Sequence, residues 1–190
     1  MKLMSPEKMR EKTSIAWFKL AEVIMRGEKE RTLSIYRLLM HSVQHEAVKT
    51  QLEGDILHMF NDPNALQSYV KAAGLYQKEN DLLQAMILYE QVINMYVMRD
   101  QTVQAYDFIG TLLLSSPLKA KLFERLLVQV LLSGQPVVRA FAEKNVAAIL
   151  TGYMSSNDPA YRDAISRFLA RLSSLDEGMH AYACSYLTSI

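Results

Sequence analysis

Residues 66–99 read LQSYVKAAGLYQKENDLLQAMILYEQVINMYVMR, and this stretch decides the fold. In its first half Tyr69, Ala72, Ala73 and Tyr76 recur at i, i+3, i+4 and i+7, one face of an α-helix. The polar run Lys78-Glu79-Asn80-Asp81 interrupts the pattern, and Ala85, Tyr89 and Val92 then resume it at helical spacing. Two helices joined by so short a connection must lie antiparallel. The alanines let the helices approach closely, and each aromatic fills a notch between them. Burying one such ring contributes roughly 1.5–3 kcal/mol.

The same grammar extends outward. Trp17, Leu20, Ala21 and Ile24 follow the helical spacing, as do Leu52, Ile56, Met59 and Phe60 approximately, and no sustained period-two alternation is found. The chain holds only 7 Gly and 5 Pro, too few for the turns of a β-rich protein. Ser5-Pro6, Asp62-Pro63, Ser116-Pro117 and Asp158-Pro159 each place a side-chain acceptor before a proline, the N-cap and N1 arrangement of a helix start. Gln135-Pro136 after Gly134 reads as a stop followed by a start. These marks predict ten helices, at about 5–26, 28–43, 45–60, 63–78, 81–98, 101–115, 117–133, 136–155, 159–173 and 175–188.

Positions 33 apart agree along part of the chain. Ala21, Val23 and Ile24 pair with Gly54, Ile56 and Leu57, and Thr32, Tyr36 and Leu39 pair with Ala65, Tyr69 and Ala72. The period and the residue types resemble the tetratricopeptide repeat. Leu66 to Arg99 spans the 34 residues of one repeat, with Tyr69 at the large first position and Ala72, Ala73, Tyr76, Ala85, Tyr89 and Val92 at the family's later positions. Tyr106, Ile109, Gly110 and Leu113 open a second copy, in which Phe123 and Leu126 fit but Lys119 replaces a small residue. Trp17 to Leu39 matches with one deletion. The copy at 47–72 makes 63–78 the second helix of a pair, whereas the copy at 66–99 makes it the first. Beyond residue 136 only Ala164 and Phe168 keep the spacing.

Composition bounds the function. The chain has 190 residues, enough to bury roughly 70% of its unfolded surface in one core without a staple. With 21 Lys+Arg against 20 Asp+Glu the net charge is +1, so no basic field exists for a nucleic-acid backbone. Cys184 is the only cysteine, which excludes an intrachain disulfide and a cysteine-based zinc site and suits a reducing compartment. The first ten residues, MKLMSPEKMR, carry charges but no apolar core and do not read as a secretory signal. The longest apolar run, Leu126 to Leu132, is too short to span a bilayer.

Candidate chemistry is sparse. His41 and His45 are four apart beside Glu46, but they straddle a predicted helix end and read as cap or surface residues rather than zinc ligands. His180 and Cys184 share the i, i+4 spacing on the last helix, where Cys184 reads as a buried small hydrophobe. No phosphate loop, nucleophile elbow or calcium loop is present. Of the 11 methionines, Met86, Met95 and Met98 share one helix and read as core filler before a plastic groove. Tyr69, Tyr76, Tyr89, Tyr96 and Tyr106 lack interleaved basic residues and read as core rather than a base-stacking platform.

The sequence thus predicts an all-α, single domain over 1–190. It is a right-handed solenoid of antiparallel helix hairpins, recognisable over 15–135 and closed by degenerate helices and a cap at 136–190. The tetratricopeptide resemblance implies a cytoplasmic scaffold or adaptor, not an enzyme. It would bind a peptide or partner helix on its concave face, with no cofactor, metal, nucleic acid or membrane. The family's inner face would here be lined by Gln67, Val70, Gly74 and Gln77, continued by Asp107, Thr111 and Leu114. Gly74 and Thr111 stand where some relatives place the Asn of a carboxylate clamp, which argues against a clamp of that kind. A helical ligand-binding or enzymatic domain is the alternative, and 136–190 is the candidate surface for self-association.

Overall fold

The computed structural model describes residues 6–41, 43–132 and 139–190, and of 6–14 and 139–141 the backbone alone. The expectations placed on Ser5 and on Gly134-Gln135-Pro136 lie outside the described residues. Among those described, the chain forms ten α-helices and no strand. They are α1 (Pro6–Met25), α2 (Lys29–Met40), α3 (Glu46–Met59), α4 (Ala65–Lys78), α5 (Leu82–Val97), α6 (Thr102–Thr111), α7 (Ser116–Leu132), α8 (Arg139–Met154), α9 (Pro159–Leu175) and α10 (Glu177–Ser189). None among the described residues is long and apolar enough to cross a membrane. The chain divides into two compact units, Met1–Val92 and Ile93–Ile190, with the boundary inside α5.

In the N-terminal unit α1 packs on α2 and α3 on α4. The predicted α4 face is fully realised: Tyr69, Ala72, Ala73 and Tyr76 are all buried. Tyrosines tie the helices together from both sides of α3. The Tyr36 hydroxyl of α2 donates to the Lys49 carbonyl. From α4, Tyr69 donates to Asp55 Oδ1 at 2.8 Å and Tyr76 to Gln51 Oε1 at 2.9 Å. Helix α4 also reaches forward, because Gln77 Oε1 accepts from the Tyr89 hydroxyl of α5 at 2.9 Å. Helix α4 thus packs on α3 and is bonded to α5 through one side-chain contact. The face expected on α1 needs correction: the structure buries Leu20 and Val23, while Trp17 is 41% exposed and Ala21 faces solvent. The helix packs on α2, and Leu20 and Val23 are its buried residues.

Four helix ends share one geometry. Gly27, Asn61, Asn80 and Asp100 have φ of 71°, 53°, 63° and 56°. Each sits in the same motif, its N–H bonded three residues back and the next N–H five residues back: Asn61 to His58 and Asp62 to Leu57, for example, both at 2.9 Å. Asn and Asp tolerate this left-handed conformation better than other side chains. In the Asn61-Asp62 and Asn80-Asp81 dipeptides the Asn closes a helix end and the Asp accepts from the chain that follows, although Asp62 is not the expected N-cap, because α4 begins at Ala65 with Asn64 at its N-cap position. Asp62 Oδ1 accepts from the Asn64 N–H at 2.8 Å and Asp81 Oδ1 from the Gln84 N–H at 3.2 Å. Of the proline starts, Asp158-Pro159 is a true cap, with Asp158 accepting from the Ala160 N–H at 2.9 Å. At the other end of this helix Asp176 caps α10 through the Met179 N–H at 2.9 Å.

Gly54 and Gly74 separate close approach from plain helix. A Cβ on Gly54 would lie 2.9 Å from two ring atoms of Tyr69, whose hydroxyl is tethered to Asp55. A Cβ on Gly74 would meet nothing within 4 Å. Gly54→Ala should therefore lose about 1–3 kcal/mol through overpacking, whereas Gly74→Ala should gain about 0.5–1 kcal/mol from helix propensity. Urea unfolding of the two variants checks both signs.

Asp62 also carries an ion pair with Lys29, the residue 33 earlier that opens α2. This contact joins the starts of two helices at the repeat spacing. The Lys29 ammonium and the Asn64 amide hold the Asp62 carboxyl below its usual range, and the carboxylate raises the Lys29 pKa. A carboxyl with a depressed folded pKa stabilises at neutral pH and loses that contribution as pH falls through the ordinary carboxylate range to its folded value. The raised Lys29 pKa keeps its share until pH exceeds the usual lysine range. Asp62→Asn should therefore lower the midpoint of thermal unfolding at pH 7, and the gap to wild type should close as pH falls below about 4.

The C-terminal unit holds a continuous core from α7 to α10. Leu127, Val146, Ile149, Leu150, Phe168 and Leu172 are fully buried in it, with Met179 and Ala183 of α10 closing one side. Lys119, the misfit of the second repeat copy, turns out to solvate itself: its Nζ donates to the Gly110 carbonyl at 3.0 Å, and Ala120 takes the buried place beside it.

Candidate functional site

An open cleft of about 440 Å³ lies in the N-terminal unit, walled by α2, α3 and α4. Helix α3 contributes Glu46, Lys49, Thr50 and Glu53, an i, i+3, i+4, i+7 stripe and hence one helical face. Helix α2 contributes Tyr36, Arg37 and Met40, with His41 at its C-cap, and α4 contributes Lys71. The tyrosine bonds described above hold these walls together, so the side chains project from a packed frame.

The polar groups differ in how far they are engaged. Thr50 Oγ1 donates to the Glu46 carbonyl at 2.9 Å. Lys49 Nζ stands 3.4 Å from Glu46 Oε2, an exposed neighbour on its own helix. Burial, with Glu53 and Glu46 nearby, pushes the Tyr36 phenol up to about 12, so it stays a neutral donor. Arg37 and Lys71 are exposed and have no hydrogen-bond or ion-pair partner among the described residues. Such a set binds and orients; it offers fixed charge, hydrogen bonds and an apolar spot at Met40.

The expected lining residues fall in both units. On α4, Gln67 is exposed and Gly74 open, and they flank Lys71 by about one turn on the same stripe. Val70 is half-buried, and Gln77 is half-buried and bonded to Tyr89. In the C-terminal unit Asp107 is exposed on α6, and Thr111, its last residue, donates through Oγ1 to the Phe108 carbonyl at 2.7 Å. Leu114 lies beyond the helix, contrary to the expected span of 101–115. Leu112 is already extended, with φ −65° and ψ 139°, because Ser115 supplies the first carbonyl for α7.

The histidines stand at helix ends, and the His45 side chain makes no cap hydrogen bond. His41 is the C-cap of α2 and His45 the N-cap of α3, and His45 Nε2 reaches Glu79 Oε2 at 3.3 Å. Cys184 is half-buried rather than buried, its Sγ 3.6 Å from His180 Nε2. No group of three or more His, Cys, Asp or Glu among the described residues could hold a metal ion. Tyr69, Tyr76, Tyr89 and Tyr106 are buried as core; of the methionines expected on one helix, Met95 is buried in α5, while Met98 lies just beyond its end and is 79% exposed.

Sequence reasoning missed Arg37, Lys49 and Lys71, which read as solvated surface charges. They stand on three separate helices and line one cleft only because α2, α3 and α4 all border it. No protein-family model, curated protein or solved structure matches the chain significantly.

Proposed function

We propose that this chain is a protein-interaction module, an array of tetratricopeptide-like helix hairpins that receives a peptide segment or partner helix. One observation carries the reading: three helices converge on an open cleft whose Arg37 and Lys71 have no partner among the described residues. Support comes also from Gln67 and Gly74, which extend an open strip along α4 beside Lys71. The volume suits a short stretch of side chains rather than a whole domain. A cytoplasmic setting belongs to the reading, supported by the lone Cys184.

The test is selection of peptides from a random display library on the full chain. Selected peptides should lose affinity about tenfold when Arg37→Ala and Lys71→Ala are combined, the loss of one charge-assisted contact. Selection of no peptide, or of peptides indifferent to both changes, would refute the reading.

A further inference from the structure

We infer that the cleft of α2, α3 and α4 takes an acidic peptide, with a ligand carboxylate seated among Arg37, Lys49 and Lys71. This rests on the peptide-binding reading above and names the chemistry of the ligand.

Three cations come from three different helices, so their convergence is a product of the fold and not of a local charge run. Arg37 and Lys71 are unpartnered among the described residues. Lys49 has only Glu46, at 3.4 Å and i, i+3 on the same helix. An exposed pair of that kind contributes only about 0.3–0.5 kcal/mol, so Lys49 is readily recruited by a ligand. The cleft's two carboxylates, Glu46 and Glu53, leave the three cations in excess by one. Guanidinium binds carboxylate through two parallel hydrogen bonds, which sets Arg37 as the orienting group and the lysines as point charges. The carboxylates have a complementary use, since they can accept N–H groups of a peptide backbone. Met40 gives an adaptable apolar spot for the residue beside the acidic one. A free inorganic anion would use the cations alone. The open strip of Gln67 and Gly74 beside Lys71 gives an extended chain somewhere to continue.

Fluorescence anisotropy with the full chain tests this, using three labelled decapeptides in which acidic, amide or basic residues (Glu, Gln or Lys) alternate with alanine. The Glu peptide should bind about tenfold more tightly than the Gln peptide, and the Lys peptide more weakly than either, as expected for one charge-assisted contact. Arg37→Glu combined with Lys71→Glu should abolish the Glu preference, while Lys144→Glu combined with Arg162→Glu, equal in charge change and exposed on α8 and α9, should leave it. Glu46→Gln should tighten the Glu peptide. Thermal unfolding of each variant shows that the fold is kept. If the Gln or Lys peptide binds best and the cleft variants still alter that binding, the acidic class is wrong and the peptide-binding reading stands. If no decapeptide responds to the cleft variants, both fall.

Discussion

Phe168→Ala is expected to destabilise the C-terminal unit by about 3–5 kcal/mol, the largest single effect in the chain. The ring is fully buried in the α7–α10 core, beside Leu127, Val146, Leu150 and Leu172, which are themselves fully buried. Truncation removes its transfer free energy and leaves a cavity. The surrounding side chains sit on four helices, so collapse into the space would require those helices to shift together. A loss of this size is a large share of the roughly 5–15 kcal/mol that holds a typical domain. Urea unfolding followed by amide signals of residues in α7–α10 reads it, and Phe168→Leu should recover more than half of the loss. An effect below about 1 kcal/mol would mean the site is not close-packed.

Gly152→Ala is the second large effect, and its sign is diagnostic. Helix propensity alone would make the change favourable by about 1 kcal/mol within α8. A Cβ there, however, would lie 2.8 Å from the Ala120 Cβ and 3.0 Å from the Ser116 carbonyl oxygen. Neither neighbour is the movable end of a flexible side chain, so α7 and α8 must part. A net loss of about 1–3 kcal/mol is expected, measured by thermal unfolding. Combining it with Ala120→Gly should restore part of the loss, because one of the two clashes disappears. A stabilised single variant would show that α7 and α8 are farther apart than described.

Much of the architecture was written in the sequence. The number of helices follows from apolar spacing and Asp-Pro starts, and 66–99 announces its own packing because Tyr69, Ala72, Ala73 and Tyr76 are all core. Short connections were harder. At Asn61 and Asn80 the chain turns through a left-handed residue, and Asp62 and Asp81 accept backbone N–H groups just beyond, but neither dipeptide carries apolar periodicity that would mark it. Trp17 misleads because size alone suggests burial, while its helix turns Leu20 and Val23 inward instead. The region beyond 136 looks patternless when held to a fixed period. It nonetheless packs Val146, Ile149, Phe168 and Leu172 into one core, since packing needs complementary volume and not a repeat.

The site was far less legible than the fold. Arg37, Lys49 and Lys71 stand on separate helices, and surface charges are ordinarily solvated. Only the lateral packing of α2, α3 and α4 brings them together. The lining expected from the tetratricopeptide resemblance named Gln67 and Gly74, which lie about one turn from Lys71 on α4 but are not among the residues that wall the cleft, and a repeat pattern says nothing about charges on neighbouring helices.

The most direct measurement is an amide chemical-shift titration of the full chain with the alternating Glu–Ala decapeptide. Peptide recognition at the cleft predicts saturable shifts concentrated at residues 36–41, 46–53 and 67–74, and little change across 93–190. Shifts centred elsewhere, or none at millimolar peptide, would contradict it.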